Sequence, residues 1–386
     1  MFSMSYKPLN PFIEYTRFFE IKKLQASLEE ICVRTLGIPR ISKDVFQRII
    51  HNQLIEPYNS DSPDCLIRNV EVLFTDEELY GYLELELKKK EGNISREEND
   101  FYIMSVYHEF TKCVEDYIKA VNCEVDRSGV VVCISSSAQK EDEYTISLYD
   151  KNVNSSEALD KLYIQKEALE KLYQQFIEPS FGRNSNFFCD LVYILLKRNE
   201  CIVCNMHASI PTKAMCMLKG ATTELFASPT NRQLPIYYSA MSDIDPFFGS
   251  RGSFFEAFKI TEACTLQCNP PFSQKFVSKA GDTIIREFQR LEKENLNIPV
   301  TVIFIVPHYM RLLKQYEFLF WRTNCVVLKS SEHSYEYGHK YRLSKEKHRF
   351  DVKLNTCISV LQNKAAIDTQ QFTAADLQEF VKNMKT

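Results

Sequence analysis

The tightest constraint on this chain is a strand–helix–strand pattern in its second half. Residues 264–268 (CTLQC) and 300–306 (VTVIFIV) are short apolar runs. Between them, residues 273–295 carry Phe276, Ile284, Ile285, Phe288 and Leu291 at helical spacing. Two buried strands joined by one amphipathic helix make a βαβ unit. Such a unit implies a parallel sheet, because the helix returns the chain to the edge where the first strand began. Residues 222–226 and 236–238 read as further short buried strands, and 325–329 and 356–361 as late strands for which an antiparallel direction is open. Ligands of such sheets sit beyond the carboxyl ends of the strands.

The first half is mostly helical and polar, with a β insertion. Residues 44–54 read as a short helix, and 75–90 as one that opens with acids and closes with lysines, as the helix dipole favours. Residues 128–137 and 143–149 form a hairpin pattern around the charged turn Lys140-Glu141-Asp142. Residues 156–176 read as a helix capped by Ser156, with Leu159, Leu162, Tyr163, Leu169, Leu172 and Phe176 mostly on one face. Within it EALDKLY and EALEKLY resemble each other, which reads as helix periodicity. Residues 191–196 fit helix or strand, and 179–185 mark a boundary. The division expected is 1–185, a mainly helical domain with a β-hairpin insertion; 186–370, an α/β domain; and 371–386, a C-terminal helix.

Composition narrows the classes. With 45% hydrophobic and 25% charged residues, 386 residues are neither wholly disordered nor fibrous, and two domains are expected. The net charge of −4 excludes a broadly basic polyanion binder, so any nucleic-acid surface must be local. No secretory hydrophobic region follows Met1, and the apolar runs are too short to cross a bilayer. The 13 cysteines, an odd number, read as reduced thiols of an intracellular protein, nuclear or cytoplasmic, with no membrane partner. Cys201 and Cys204, with Cys189 and His207 nearby, admit a metal site, but no second CxxC pair accompanies them. Buried thiols are the reading adopted, and no metal is expected.

Asn269-Pro270-Pro271-Phe272 follows one apolar strand and precedes the helix. The pattern is a polar amide, two prolines and an aromatic ring. An exocyclic amine on a base is a poor nucleophile, because its lone pair is delocalised into the ring. A site accepting hydrogen bonds from both amine hydrogens favours a more pyramidal nitrogen. The Asn269 side-chain oxygen and the Pro270 carbonyl are two such acceptors. The prolines fix φ and bring no competing N–H, and Phe272 offers a flat face for a base. Asparagine is no strong base, so the chemistry is positioning and electrostatics. The methyl donor that suits it is the sulfonium of S-adenosylmethionine. A rigid loop is the alternative reading, and a glutamine amide is an alternative acceptor.

The surroundings of this tetrapeptide form an ordered series. Phe226-Ala-Ser-Pro229 and Asn231 come first, then Tyr238-Ser-Ala240, Asp243-Ile-Asp245 and Phe248-Gly-Ser-Arg-Gly252. After it come Glu332-His333, Tyr335, Gly338, Asn355-Thr356 and Leu361-Gln-Asn363. From about His207 to Asn363 this resembles the phosphorylated-CTD-interacting-factor family, the cap-specific adenosine N6-methyltransferases. The resemblance implies a Rossmann-like class I methyltransferase domain joined to an N-terminal mainly helical domain. It also implies an enzyme that methylates N6 of the first transcribed adenosine of capped mRNA, with S-adenosylmethionine as cofactor. Another N6-adenine or glutamine-amide methyltransferase, or an inactive RNA-binding scaffold, are the alternatives.

Carried over by position, Asn269, Pro270, Pro271 and Phe272 are the catalytic tetrapeptide. Glu224, Phe226, Ala227, Ser228 and Pro229 fall at the first cofactor motif, which lacks a Gly-x-Gly. Asp243 and Asp245 are placed to meet ribose hydroxyls or the methionine amine, and Arg251 a carboxylate or phosphate. Animal members carry a WW domain that reads the phosphorylated tail of RNA polymerase II. Trp321 is the single tryptophan here, so that domain is expected to be lacking and direct tail binding is not expected. Capped mRNA and, beyond it, transcription or capping machinery are the partners implied. Residues 339–353 hold six basic residues against two acidic ones, with Tyr341 and Phe350 interleaved. Lys340, Arg342 and Lys345, with His333 and Tyr335, are therefore expected to meet RNA.

Overall fold

The computed structural model describes residues 9–38, 46, 77–91, 95–122, 129–137, 140–153, 157–176, 186–202, 208–218, 220–308 and 316–385. Ser156, the boundary stretch 179–185, Cys204, His207 and all of the 44–54 helix except Phe46 lie outside these residues. The chain divides into two compact units, Met1–Lys166 with Pro179–Cys204, and Glu167–Glu178 with Asn205–Thr386.

The first unit begins with helix α1 (Pro11–Leu36). Asn10 caps it by accepting from the Phe12 N–H at 2.8 Å, Pro11 takes the first turn, and Gly37 at φ 60° ends it. Ile21, Leu24, Leu28 and Ile31 make its buried stripe. Helix α2 (Glu77–Glu91) follows, then α3 (Arg96–Asn122), which buries Ile103, Val106, Phe110, Val114, Tyr117 and Val121 at three- and four-residue steps. Strands β1 (Val130–Ser136), β2 (Glu143–Asp150) and β3 (Asp160–Gln165) form an antiparallel sheet in that order. Helix α4 (Lys166–Gln175) leads into the second unit, and α5 (Phe187–Ile202) returns to the first.

One expected helix is corrected here. The 156–176 segment is not a single helix, because its first part is β3, whose six residues pair with β2 from Glu143↔Gln165 to Leu148↔Asp160. Leu162 and Ile164 are buried at period two while Tyr163 is exposed. A free edge on β2 supplies a ladder that local helix propensity cannot match. Residues 191–196 are helical and wholly buried, which is why their unbroken apolar run carries no period.

The second unit holds strands β4 (Ala208–Ser209), β5 (Ala221–Glu224), β6 (Ile236–Tyr237), β7 (Cys264–Cys268), β8 (Val300–Pro307), β9 (Arg322–Leu328), β10 (Ser334–Tyr337), β11 (Arg349–Asp351) and β12 (Thr356–Gln362). Six make a mixed sheet in the order β6-β5-β7-β8-β12-β9. Strands β6, β5, β7 and β8 are parallel. Strand β12 is antiparallel to both β8 and β9, so of the two late strands only β12 opposes the rest. A smaller sheet runs β11-β10-β4.

Helix α6 (Gln274–Lys293), capped by Ser273, connects β7 to β8. Its Phe276, Ile284, Phe288 and Leu291 pack with Val300, Val302 and Phe304 on one face of the sheet. On the other face Ile303, Ile305, Ile358 and Val360 pack with Leu377 and Phe380 of helix α7 (Ala374–Met384). Strand β8 is therefore buried on both faces, which its continuous apolar sequence requires. No helix among the described residues is long and apolar enough to cross a membrane.

Candidate active site

The chain order of the large sheet reverses at β5. From β5 the chain moves outward to β6, then crosses back to β7 on the other side of β5. Such a reversal leaves a crevice beyond the carboxyl ends of the two diverging strands. Those ends are Glu224 and Cys268, held level by the Glu224↔Gln267 pairing and by a 2.9 Å bond from the Leu225 N–H to the Gln267 carbonyl. Two expected segments, 224–229 and 269–272, thus emerge side by side.

Backbone bonds add the other early segments. The Ala227 N–H donates to the Tyr238 carbonyl, Ser239 to Gly252 and Arg251 to Tyr237, each at 2.9 Å. Gly249 and Gly252 adopt φ of +88° and +87°, a region L side chains rarely enter. Arg251 between them is exposed. Phe226 is half-buried in an aromatic cluster, edge-on to Phe254 at 5.1 Å and to Phe255 at 5.6 Å. Ser228 is held in a turn by Asn231, whose side-chain oxygen accepts the Ser228 N–H at 2.7 Å, and Pro229 is buried in it.

The tetrapeptide follows β7 directly. Asn269 is half-buried, and its Nδ2 donates to the Ala208 carbonyl at 2.9 Å. A carbonyl can only accept, so this contact assigns the amide: nitrogen toward β4, oxygen away from it. The Asn269 Oδ1 is buried without a hydrogen-bond partner. A buried acceptor left unpaired costs about 1–3 kcal/mol, which an incoming N–H donor removes. Pro270 is buried, while Pro271 and Phe272 are half-buried. Phe272 meets Tyr335 edge-on at 6.2 Å.

Other expected residues take supporting places. Glu224 is 5% exposed and its Oε1 accepts from the Gln233 and Leu234 N–H groups, the latter at 2.6 Å. Burial pushes its carboxyl up, against the effect of those bonds. It braces the 225–234 loop from inside. Glu224→Ala leaves both donors without an acceptor, so a loss of about 2–3 kcal/mol is expected in the second unit. Glu224→Gln keeps the accepting oxygen and most of the stability. Trp321 fluorescence during urea unfolding reads both outcomes, because the chain's single tryptophan lies in that unit.

Asp245 is 2% exposed and accepts from the Met241 N–H at 3.1 Å at the head of a 3-10 turn, whereas Asp243 is half-buried.

The expected RNA contacts are corrected more sharply. His333 and Tyr335 do not line an open surface. His333 bonds the Lys329 carbonyl at 2.7 Å and Thr356 Oγ1 at 2.8 Å, and Tyr335 shares that hydroxyl at 3.1 Å. Burial pushes the His333 imidazole down and the Tyr335 phenol up, so both are neutral. Tyr341 is buried, and Phe350 is half-buried and stacks on Tyr337 at 4.5 Å. Lys340 pairs with Glu336 at 2.8 Å and Lys345 with Glu167 at 2.7 Å. The Arg342 guanidinium lies 5.6 Å from the Tyr341 ring. Lys340 and Lys345 are thus paired with carboxylates on β10 and α4 of their own unit.

Three residues carry no motif-level signal of their own. The Ala208 carbonyl is a backbone group in a two-residue strand. Gln233 donates to the Ile210 carbonyl at 2.7 Å. Lys171 is held at the Arg232 carbonyl, and burial with the neighbouring Arg232 and Lys340 charges pushes it down to about 8. Two asparagines of the ordered series are likewise fold hardware: Asn355 accepts from the Ser330 N–H, and Asn363 ties Val300 and Ile298 at the start of β8. Among the described residues no cluster of three His, Cys, Asp or Glu could hold a metal.

The family model described as the phosphorylated CTD interacting factor 1 WW domain matches residues 168–338. That span contains the tetrapeptide, both early loops and Trp321, and it ends before Lys340. It overturns the expectation that the family's WW domain is lacking, because the model carrying that description aligns here, and with it falls the reason for setting tail binding aside. The human protein named mRNA (2'-O-methyladenosine-N(6)-)-methyltransferase is 27% identical over 231 residues, covering 56% of this chain and 31% of that protein. The mouse protein of the same name is 26% identical over 212 residues, covering 51% and 29%. The chain thus spans about three tenths of the length of these relatives.

Proposed function

We propose that the second unit is a Rossmann-like methyltransferase domain acting on N6 of the cap-proximal adenosine of mRNA. The observation that carries this reading is the buried, unpartnered Asn269 Oδ1 at the carboxyl end of β7. It is an acceptor in want of a donor, beside a proline carbonyl, at the point where the sheet reverses. The names of the human and mouse relatives support adenosine N6 as the position methylated.

S-adenosylmethionine, when bound, supplies an electrophilic methyl group on sulfur. What supports it is that the 225–229 loop directly follows β5 at the reversal and that Asp243 follows β6, an order in which acids of this fold class meet ribose hydroxyls. The chain's own task is to aim the amine. Asn269 Oδ1 and the Pro270 carbonyl accept its two hydrogens, drawing the nitrogen lone pair out of conjugation and along the line of attack. Phe272, backed by Tyr335, limits the tilt of the base. With no strong base among these groups, the methylated nitrogen, once it has taken the methyl from sulfur, gives up its proton to water after transfer, and Asn269 Oδ1 only accepts a hydrogen bond. The family description supports a phosphorylated polymerase tail as a further partner.

The test is one methyl-transfer assay with radiolabelled cofactor across four acceptors: capped A-starting RNA, capped G-starting RNA, uncapped A-starting RNA and a glutamine-containing peptide. Label on the capped A-starting RNA alone, recovered as N6-methylated adenosine after nuclease digestion, is expected. Equal label on uncapped RNA, or label on the peptide, replaces the substrate assignment.

A further inference from the structure

The Asn269 amide is only as well aimed as the carbonyl that holds it. Ala208 belongs to β4, which joins β10 through just two register pairs, Glu336↔Ser209 and Tyr337↔Ala208. A two-residue strand does not hold its place by ladder bonds alone. The next residues supply the anchorage. Glu336 Oε1 accepts the Thr212 N–H at 2.9 Å, and its Oε2 accepts the Thr212 hydroxyl at 3.0 Å and the Lys340 ammonium at 2.8 Å. Only Ser209, Ile210 and the φ-locked Pro211 separate this clamp from Ala208. On the same segment, Gln233 pins the Ile210 carbonyl.

The Glu336 side chain is 9% exposed and all its bonds run to the protein. Burial alone would raise its carboxyl; the bonds from Lys340 and Thr212 more than offset this and lower it, so it is a carboxylate at neutral pH. It accepts a main-chain N–H, a hydroxyl and an ammonium at once, which grips the 208–212 segment more firmly than a neutral side chain can.

We propose that Glu336 is a positioning residue: by clamping Thr212 it fixes the Ala208 carbonyl, and through that carbonyl it sets the direction in which Asn269 Oδ1 points. This rests on the methyl-transfer reading of the same site. Lys340, expected from sequence to meet RNA, serves instead as the counter-charge of the clamp. Glu336 touches neither base nor cofactor in this scheme, so its effect falls on the chemical step and not on binding.

The test uses the 386-residue chain in three variants, Glu336→Ala, Glu336→Gln and Thr212→Ala. Glutamine retains an accepting oxygen for the Thr212 N–H and an amide donor for its hydroxyl but loses the Lys340 bond, so Glu336→Gln is expected to lower kcat less than Glu336→Ala. Glu336→Ala is expected to lower kcat about 10–100-fold, the scale of an ångström-level misplacement, with cofactor affinity by calorimetry and KM for RNA unchanged. Thr212→Ala, which removes one bond of the clamp, is expected to fall between wild type and Glu336→Ala.

A second readout is independent of turnover. In protein labelled with 15N-asparagine, the Asn269 side-chain amide pair is assigned by its loss in Asn269→Ala. Its hydrogen exchange is expected to be slow in wild type, faster in Glu336→Gln and Thr212→Ala and fastest in Glu336→Ala. Unchanged kcat and unchanged amide exchange in both Glu336→Ala and Thr212→Ala overturn the positioning role while leaving the methyl-transfer reading standing. A wild-type protein that methylates none of the acceptors sinks that reading instead, and the amide signal still decides the clamp. Should Glu336→Ala not fold, Thr212→Ala carries the same two outcomes.

Discussion

Asn269→Ala is expected to lower methyl transfer to capped A-starting RNA by at least about 10²–10³-fold, the scale set by removing one preorganised polar group from a reacting centre. Two losses combine in this variant. The acceptor for one amine hydrogen disappears, and the amine is no longer held off the plane of its ring. Stability is expected to change little. The wild-type amide already leaves Oδ1 unpaired, and the deleted bond to Ala208 is worth only about 0.5–1.5 kcal/mol. A function-for-stability trade of this kind separates an active-site amide from a rigid-loop amide. The measurement is kcat on capped RNA beside the urea midpoint of the same preparation. Near-full turnover sinks the catalytic assignment, and a large loss of stability moves Asn269 to a structural role. Asn269→Asp offers a sharper contrast, since a carboxylate cannot donate to the Ala208 carbonyl and loses the contact that aims it.

Arg198→Ala is expected to destabilise the first unit by about 3–5 kcal/mol, without any bearing on the methyl-transfer chemistry. Arg198 on α5 is 3% exposed and Glu14 on α1 is 4% exposed. Both Nε and Nη2 of the arginine donate to Glu14 Oε1, at 3.0 and 2.8 Å, and Arg17 meets the same oxygen. Removing Arg198 leaves the buried carboxylate with Arg17 as its cationic partner and two fewer hydrogen bonds, so part of the desolvation cost is no longer offset. Neighbouring Lys197 is similarly sunk, bridging Asp160 and Glu200 with its ammonium 3.8 Å from the Phe18 ring, so the polar core of this unit has little slack. Amide hydrogen exchange in α1 and α5 reads the effect. Protection is expected to fall by two to three orders of magnitude, because each 1.4 kcal/mol is about tenfold in the opening equilibrium. Unchanged protection shows that water or a neighbouring group takes over the Glu14 charge.

Much of the second unit was legible because its elements obey their periods cleanly. The buried residues of α6 recur at three and four, β8 is apolar at every position because it is covered on both faces, and the tetrapeptide sits directly at the end of β7. The candidate site was legible only where side-chain chemistry is specific. Asn269 and its prolines announce acceptors. Glu224, Asp245, His333 and Lys340 look like ligands in the sequence and prove to be braces in the fold, since a carboxylate or imidazole reads the same whether its partner is a cofactor or a backbone amide. Ala208 and Thr212 have no chemistry to announce, and they matter through where their backbone groups fall.

The two copies of one pattern draw the line between the levels. EALDKLY and EALEKLY differ at a single position, yet Asp160–Tyr163 lies in a strand and Glu170–Tyr173 in a helix. Composition, hydrophobic period and the acceptor chemistry of Asn269 are properties of the residues, and the linear order of the chain was enough to read them. Whether a leucine turns to a sheet or to a helix, and which carbonyl meets an amide nitrogen 61 residues away, depend on neighbours distant in the chain. Local preferences differ by only tenths of a kcal/mol, whereas a ladder, a buried face or a buried charge is worth several.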